Sequence, residues 1–200
     1  MSGWAVERLS GWRISRAGHS RRARPADSAT AQPPNRSTAL CALMLGLLAP
    51  VPALSQEAIG IALGETPPAA VVEDLDGNSV DLAQWVGKRP VLVEFWATWC
   101  PLCAALEPRL RQVAERHGAE LDVLIVAVGV NQSPRSVRRH LDRHGLPGRV
   151  LWDGRGAAVR AFQTPSTSYV VALDSAGRVV YTGLGEDQDL DAAARKALGR

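Results

Sequence analysis

The run Pro90–Trp96 (PVLVEFW) constrains the fold more than any other stretch of this chain. It is β-branched, aromatic and almost uninterrupted, the pattern of a central strand buried on both faces. Only Glu94 breaks it. The period then changes at once. Across Pro101–His117, Leu102, Leu106, Leu110 and Val113 recur on one helical face, Arg109, Arg111, Glu115 and Arg116 lie mostly elsewhere, and Gly118 marks the end. A buried strand running straight into an amphipathic helix is the first half of a βαβ unit. Leu121–Val128 (LDVLIVAV) is its second strand, and the right-handed crossover rule makes the two strands parallel.

The rest of the chain fits around that unit. Gly64–Pro68 reads as an extended lead-in, and Ala69–Glu73 with Ser79-Val80 flanks Asp76-Gly77-Asn78, a hairpin signal. Asp81–Val86 predicts one helical turn, capped by Asp81 and stopped by Gly87. Ser133-Pro134 opens a second helix that Gly145 closes, followed by a short strand at Arg149–Trp152 and a short helix at Arg155–Phe162. Thr167–Leu173 and Arg178–Thr182 alternate around the turn Asp174–Gly177, and a helix over about Leu190–Leu198 ends the chain. A βαβ unit joined to a ββα unit implies an α/β, three-layer sandwich with a central mixed sheet.

Residues 1–55 read as a leader and residues 56–200 as one domain, for which an apolar fraction of 46% is sufficient. The net charge of +3 is unevenly spread. The leader holds seven arginines against Glu7 and Asp27, a surplus of five, so the body from Gln56 carries −2. A slightly acidic body has no electrostatic footprint for nucleic acid. The leader carries arginines, then an apolar stretch at Thr38–Ala49, then Ala53 and Ser55 as small residues before a cleavage point at Gln56, the parts of an export signal. The uncharged run 38–54 is the alternative, a retained membrane anchor interrupted by two prolines. Export to the periplasm is expected either way. The long polar region before the apolar stretch suggests an over-extended start.

Cleavage removes Cys41 and leaves Cys100 and Cys103 as the only thiols of the body. One CxxC pair in an exported chain is not a disulfide scaffold. Cys100 stands at the strand-to-helix junction, where free N–H groups and the helix dipole favour thiolate over thiol. Cys103 is one turn further in, and i, i+3 spacing brings the two sulfurs within bridging reach. The expectation is an exposed nucleophile at Cys100 and a sheltered resolving thiol at Cys103. Metal binding by the same pair is the competing chemistry. The only other ligand pair is His140-x-x-x-His144, on the arginine-rich helix Arg135–Arg143, where a solvated face is the simpler reading. No metal site is therefore expected. Glu94, inside an apolar strand, is costly unless neutral or hydrogen-bonded. Burial raises its pKa and suits it to proton relay for Cys103, the alternative being a carboxylate that reaches solvent beyond the sheet.

The segment VEFWATWCPLC resembles the active-site segment of the thioredoxin superfamily, and most of all its exported TlpA/ResA-like branch. The family's WCxxC falls on Trp99, Cys100 and Cys103, its buried acid on Glu94, its helix-kinking proline on Pro108 and its cis-proline on Pro165 in Gln163–Thr167. The branch's inserted helix and strand fall on about Asn131–Trp152, and the likeness covers roughly residues 64–198. The resemblance implies that Thr164 and Pro165 present backbone to a substrate strand facing the dithiol, with Trp99, Pro101 and Leu102 around it. Trp96 and Trp99 are expected part in the core and part on the rim, and Trp85 and Trp152 in packing. The chain departs from the family between the cysteines, where Pro101-Leu102 replaces Gly-Pro or a proline in second place, and at Leu106, where many members carry Glu. Pro101 is comfortable at the first helical position but removes an N–H.

The resemblance implies a monomeric thiol–disulfide oxidoreductase that reduces disulfides of exported proteins, such as apocytochrome c or copper-site cysteines. A membrane thiol reductase would be its electron donor. No cofactor beyond the redox-active Cys100–Cys103 pair is expected. The enzymatic alternative is a disulfide-forming oxidant, and the alternative of another class is a non-catalytic copper or zinc carrier.

Overall fold

A computed structural model of the chain describes residues 59–200. The leader, with its apolar stretch 38–54, Cys41 and the cleavage point, lies outside the described residues. Among the described residues no helix is long and apolar enough to cross a membrane.

The elements follow the residue pattern closely. Strands β1 (Val71–Glu73) and β2 (Ser79–Asp81) form the hairpin around Asp74–Asn78, and Asp81 caps a 3-10 turn at Leu82–Gln84. Strand β3 (Val91–Trp96) is buried at all six positions, and β4 (Asp122–Val128) at all but its first. Between them runs α1 (Pro101–His117), which carries Pro108 inside it. Helix α2 (Pro134–His144) starts at Ser133 with a capping box formed with Ser136 and stops at Gly145. After it come β5 (Arg149–Asp153), α3 (Ala157–Ala161), β6 (Tyr169–Leu173), β7 (Val179–Leu184) and α4 (Leu190–Ala197).

The seven strands make one mixed sheet in the order β2-β1-β5-β4-β3-β6-β7. β3 runs parallel to β4, and β4 parallel to β5, while β6 lies antiparallel to β3. The N-terminal hairpin joins the same sheet, with β1 antiparallel to β5. Two successive right-handed crossovers stepping in one direction place α1 and α2 on the same face, and α4 packs beside α1. β3 therefore lies at the centre, roofed by α1. On its odd-numbered side Phe95 stacks with Phe162 and Tyr169, at centroid distances of 5.5 and 6.1 Å. On its even-numbered side sit Glu94 and Trp96.

Three expectations need correction here. Leu102 does not share the buried face of α1: it is 43% exposed, and Cys103 takes its place in the core with Leu106, Leu110 and Val113. The buried stripe runs at spacings of three and four through Cys103, Leu106, Leu110 and Val113, and Leu102, one residue before Cys103, is turned off it. The short helix starts at Ala157 rather than Arg155. β5 extends to Asp153, whose buried carboxylate accepts the N–H groups of Ala157 at 2.7 Å and Val159 at 2.9 Å. Nor is the histidine pair on a wholly solvated face: half-buried His140 meets Trp96 edge-on at 4.9 Å, and only His144 is exposed.

Candidate active site

The dithiol sits where β3 hands the chain to α1. Cys100 is the N-cap of α1, with extended backbone at φ −90° and ψ 105°, and Pro101 occupies the first turn. The free N–H of Cys103 donates to Cys100 Sγ at 3.1 Å, so a helix-end donor that would otherwise lack a partner is aimed at sulfur. Such a bond, with the helix dipole, stabilises negative charge on that sulfur. Cys100 and Cys103 are joined as a disulfide, their Cα atoms 5.3 Å apart. The asymmetry is smaller than the sequence suggested. Cys103 is fully buried and Cys100 is only 6% exposed. Its Sγ is drawn over the first turn, bonded to one cysteine residue's sulfur and backbone together.

Glu94 does not reach solvent. It is 2% exposed, and its Oε1 has no hydrogen-bond partner among the described residues. Burial first, and the negative charge of Glu107 second, push its carboxyl up to about 8. A buried acid without a partner keeps its proton near neutral pH, because the charged form would lose hydration and gain nothing. Glu107, next in the chain to Leu106, pairs with Arg111 at 2.7 Å. Burial holds the His140 imidazole below its usual value, with His144 adding to the effect.

Beside the dithiol lies a groove of about 260 Å³, lined by Trp99, Val128, Val130, Val159 and Thr164–Thr167. Trp99 thus shares one surface with Thr164 and Pro165, about 65 residues further along the chain. Pro101 and Leu102 are exposed at the start of α1 and are not among the lining residues. Thr164 N–H donates to Val159 C=O at 2.9 Å, while its Oγ1 is buried without a partner among the described residues. Trp99 is 46% exposed, whereas Trp96 is in the core. Trp85 carries the Arg149 guanidinium over its ring at 5.5 Å, and Trp152 is buried. Among the described residues no group of three or more His, Cys, Asp or Glu could hold a metal ion.

Sequence reasoning missed Gln132, whose amide touches the loop before Cys100: Oε1 accepts Thr98 N–H at 2.8 Å and Nε2 donates to Val128 C=O at 2.6 Å. No periodicity marks such a residue. The only available signal was its place in the loop after β4, at the end of the sheet that carries the cysteines.

A dithiol pair at a helix N-terminus, at the end of the central strand of a mixed sheet, over a buried acid, defines the thioredoxin-like class of thiol–disulfide oxidoreductases. Residues 62–198 match the Redoxin family model, and the chain belongs to that family, as a TlpA/ResA-like member of the thioredoxin superfamily. It is similar to the thiol-disulfide oxidoreductase ResA of Halalkalibacterium halodurans, with 30% identity over 122 residues, 61% of this chain and 68% of that one. With ResA of Geobacillus kaustophilus the identity is 28% over 140 residues, 68% of this chain and 78% of the relative. Among solved structures, a thiol:disulfide interchange protein of the thioredoxin family from Chlorobium tepidum superposes with a TM-score of 0.57 at 24% identity, covering 70% of this chain and 99% of that one. A thiol:disulfide interchange protein from a Bacteroides species gives 0.60 at 20% identity, over 70% and 92% of the two chains. The protein is a thiol–disulfide oxidoreductase.

Proposed function

We propose that the protein is exported and works as a reductant of disulfides in periplasmic proteins, of the cytochrome c or copper-site type. The observation that carries the mechanism is a helix-end disulfide roofing a strand whose single acid, Glu94, is buried and unpaired. In the reduced enzyme Cys100 is the thiolate, and Glu94 acts through its carboxylate form, the minor form at neutral pH for an acid whose pKa is about 8. Cys100 attacks one sulfur of the substrate disulfide, and the other substrate sulfur leaves as a thiolate and takes a proton from water. Glu94 then accepts the Cys103 proton. The Cys103 thiolate attacks Cys100 Sγ and releases the second substrate sulfur, which is protonated in turn. The products are a reduced substrate, the Cys100–Cys103 disulfide and a protonated Glu94, which is the state its high pKa favours. Re-reduction by a dithiol of a membrane-bound donor reverses the proton movement. An acid whose pKa lies near that of a thiol exchanges protons with it at little cost in either direction.

Thr164, Pro165 and Trp99 hold the substrate segment in the groove, and Pro101 and Leu102 contact it from the start of α1. No metal or organic cofactor takes part, and the enzyme acts as a monomer. The leader either is cleaved near residues 53–56 or stays as an anchor through 38–54.

The direction of electron flow is tested by redox titration coupled to trapping. A potential near that of thioredoxin, about −270 mV, is the expected result, and one near −120 mV makes the protein an oxidant instead. Cys103→Ser should accumulate mixed disulfides between Cys100 and its substrates, and Cys100→Ser should abolish both trapping and disulfide reduction. Stoichiometric copper or zinc on the purified protein, with no such reduction, would favour the carrier reading.

A further inference from the structure

A set of side-chain bonds next to the dithiol has no part in the thiol chemistry. Gln132, in the loop between β4 and α2, uses both halves of its amide, accepting Thr98 N–H with Oε1 and donating Nε2 to Val128 C=O. Only one orientation of the amide satisfies both partners, so the assignment is set by the bonds. One residue along the chain from Thr98, Trp99 Nε1 donates to Val130 C=O at 2.8 Å. The segment Thr98–Trp99 and the segment Val128–Val130 are therefore joined twice, once through the Gln132 amide and once directly by the Trp99 indole. Asn131 lies in the left-handed region at φ 52°, a conformation that Asn tolerates better than most residues, and it turns the loop so that Gln132 points back at β4. The tied residues are also walls: Trp99, Val128 and Val130 line the groove together with Thr164–Thr167.

From this geometry we infer that Gln132 is a positioning residue for disulfide exchange, clamping the Thr98–Cys100 segment to the end of β4 so that Trp99 keeps its place as a wall of the groove when a protein substrate docks. The inference rests on the oxidoreductase reading but names a device that this reading does not contain. Gln132 touches no reacting atom. Thr98 N–H belongs to neither helix nor sheet, so without the amide its partner becomes water, and the loss is one of placement at the groove more than of global stability. Reactions that depend on docked geometry are sensitive to such displacements. A small reductant that does not use the groove wall is not.

The test uses the full chain and a peptide with one cysteine pair, measured in both directions: reduced enzyme with the peptide disulfide, and oxidised enzyme with the peptide dithiol. Gln132→Ala is expected to slow exchange about tenfold in both directions, mostly through a higher KM. Reduction of the Cys100–Cys103 disulfide by dithiothreitol should stay within about twofold of wild type, given its independence of docking. By NMR, the Trp99 indole N–H should exchange with solvent about tenfold faster, since its bond to Val130 C=O opens more often once Thr98 is no longer clamped, while those of Trp85, Trp96 and Trp152 are unchanged. Ser133→Ala is the control: it removes the α2 cap one residue away and should leave peptide exchange unaltered. Wild-type peptide rates in Gln132→Ala overturn the inference, as do equal losses with peptide and dithiothreitol, or the same loss in Ser133→Ala. If the wild-type enzyme exchanges with the peptide in neither direction, the oxidoreductase reading itself has failed. The Trp99 indole then decides the clamp alone, with faster exchange in Gln132→Ala supporting it and unchanged exchange overturning it.

Discussion

Glu94 is the residue whose environment and sequence context are most at odds, and its titration carries a sign. Burial lifts its folded pKa from 4.5 to about 8, so between those values the folded chain binds the proton more tightly than the unfolded one. The stability of the oxidised protein should therefore fall as pH rises through that window, by at most about 1.4 kcal/mol per pH unit from this group. Glu94→Gln cannot ionise. Its unfolding free energy, measured by denaturant titration at a series of pH values, should match wild type near pH 4 and exceed it increasingly toward pH 8. The same substitution should slow the resolving step about 100-fold at neutral pH, because Cys103 loses its proton acceptor. Stopped-flow decay of the mixed disulfide measures that rate. A rise in rate, or an unchanged pH slope, would remove Glu94 from the cycle.

At the scale of the element, the start of α1 sets the reactivity of Cys100. Pro101 stands at the first helical position, so one N–H that could face the sulfur is missing while the Cys103 N–H remains. Pro101→Ala restores that donor. The reduced Cys100 thiol should then show a lower pKa, by some tenths of a unit to about one, and the pair a higher reduction potential. Thiolate absorbance against pH and a redox titration report the two changes. Helix α2 offers a simpler case, since its capping box joins Ser133 and Ser136. Ser133→Ala should lower the unfolding free energy by about 1 kcal/mol in denaturant melts. These starts were legible in the sequence because caps and prolines act on the nearest turn. Leu102 was misplaced because Leu102 and Cys103 both stand at helical spacing from Leu106, and spacing alone does not say which of the two is buried.

On the scale of the whole molecule, the segment before β1 is tied to the core through Tyr169, whose hydroxyl donates to Ile59 C=O at 3.0 Å. Gly60 makes that approach possible. Its φ is 80°, and a Cβ there would stand 2.2 Å from Tyr169 Oη. Gly60→Ala should therefore cost roughly 2–3 kcal/mol, combining left-handed strain with a clash against a fully buried ring. Thermal unfolding would show it as a fall of several degrees in Tm, and an unchanged Tm would mean that the tie carries no stability.

The sequence by itself determined the elements and the place of the chemistry. An apolar strand, a change of period and a cysteine at a helix start are enforced by backbone sterics and burial within a few residues, and they read the same before and after folding. What only the tertiary structure decided is which distant residues meet them. Thr164 and Pro165 share a groove with Trp99, Gln132 reaches Thr98, and Glu94 finds no partner under α1. Each of these depends on sheet order and on the register of β3 against β4 and β6, and a one-residue slip in that register would turn Glu94 to the other face. Local pattern encodes which face of an element is buried, and long-range packing alone chooses what is buried against it.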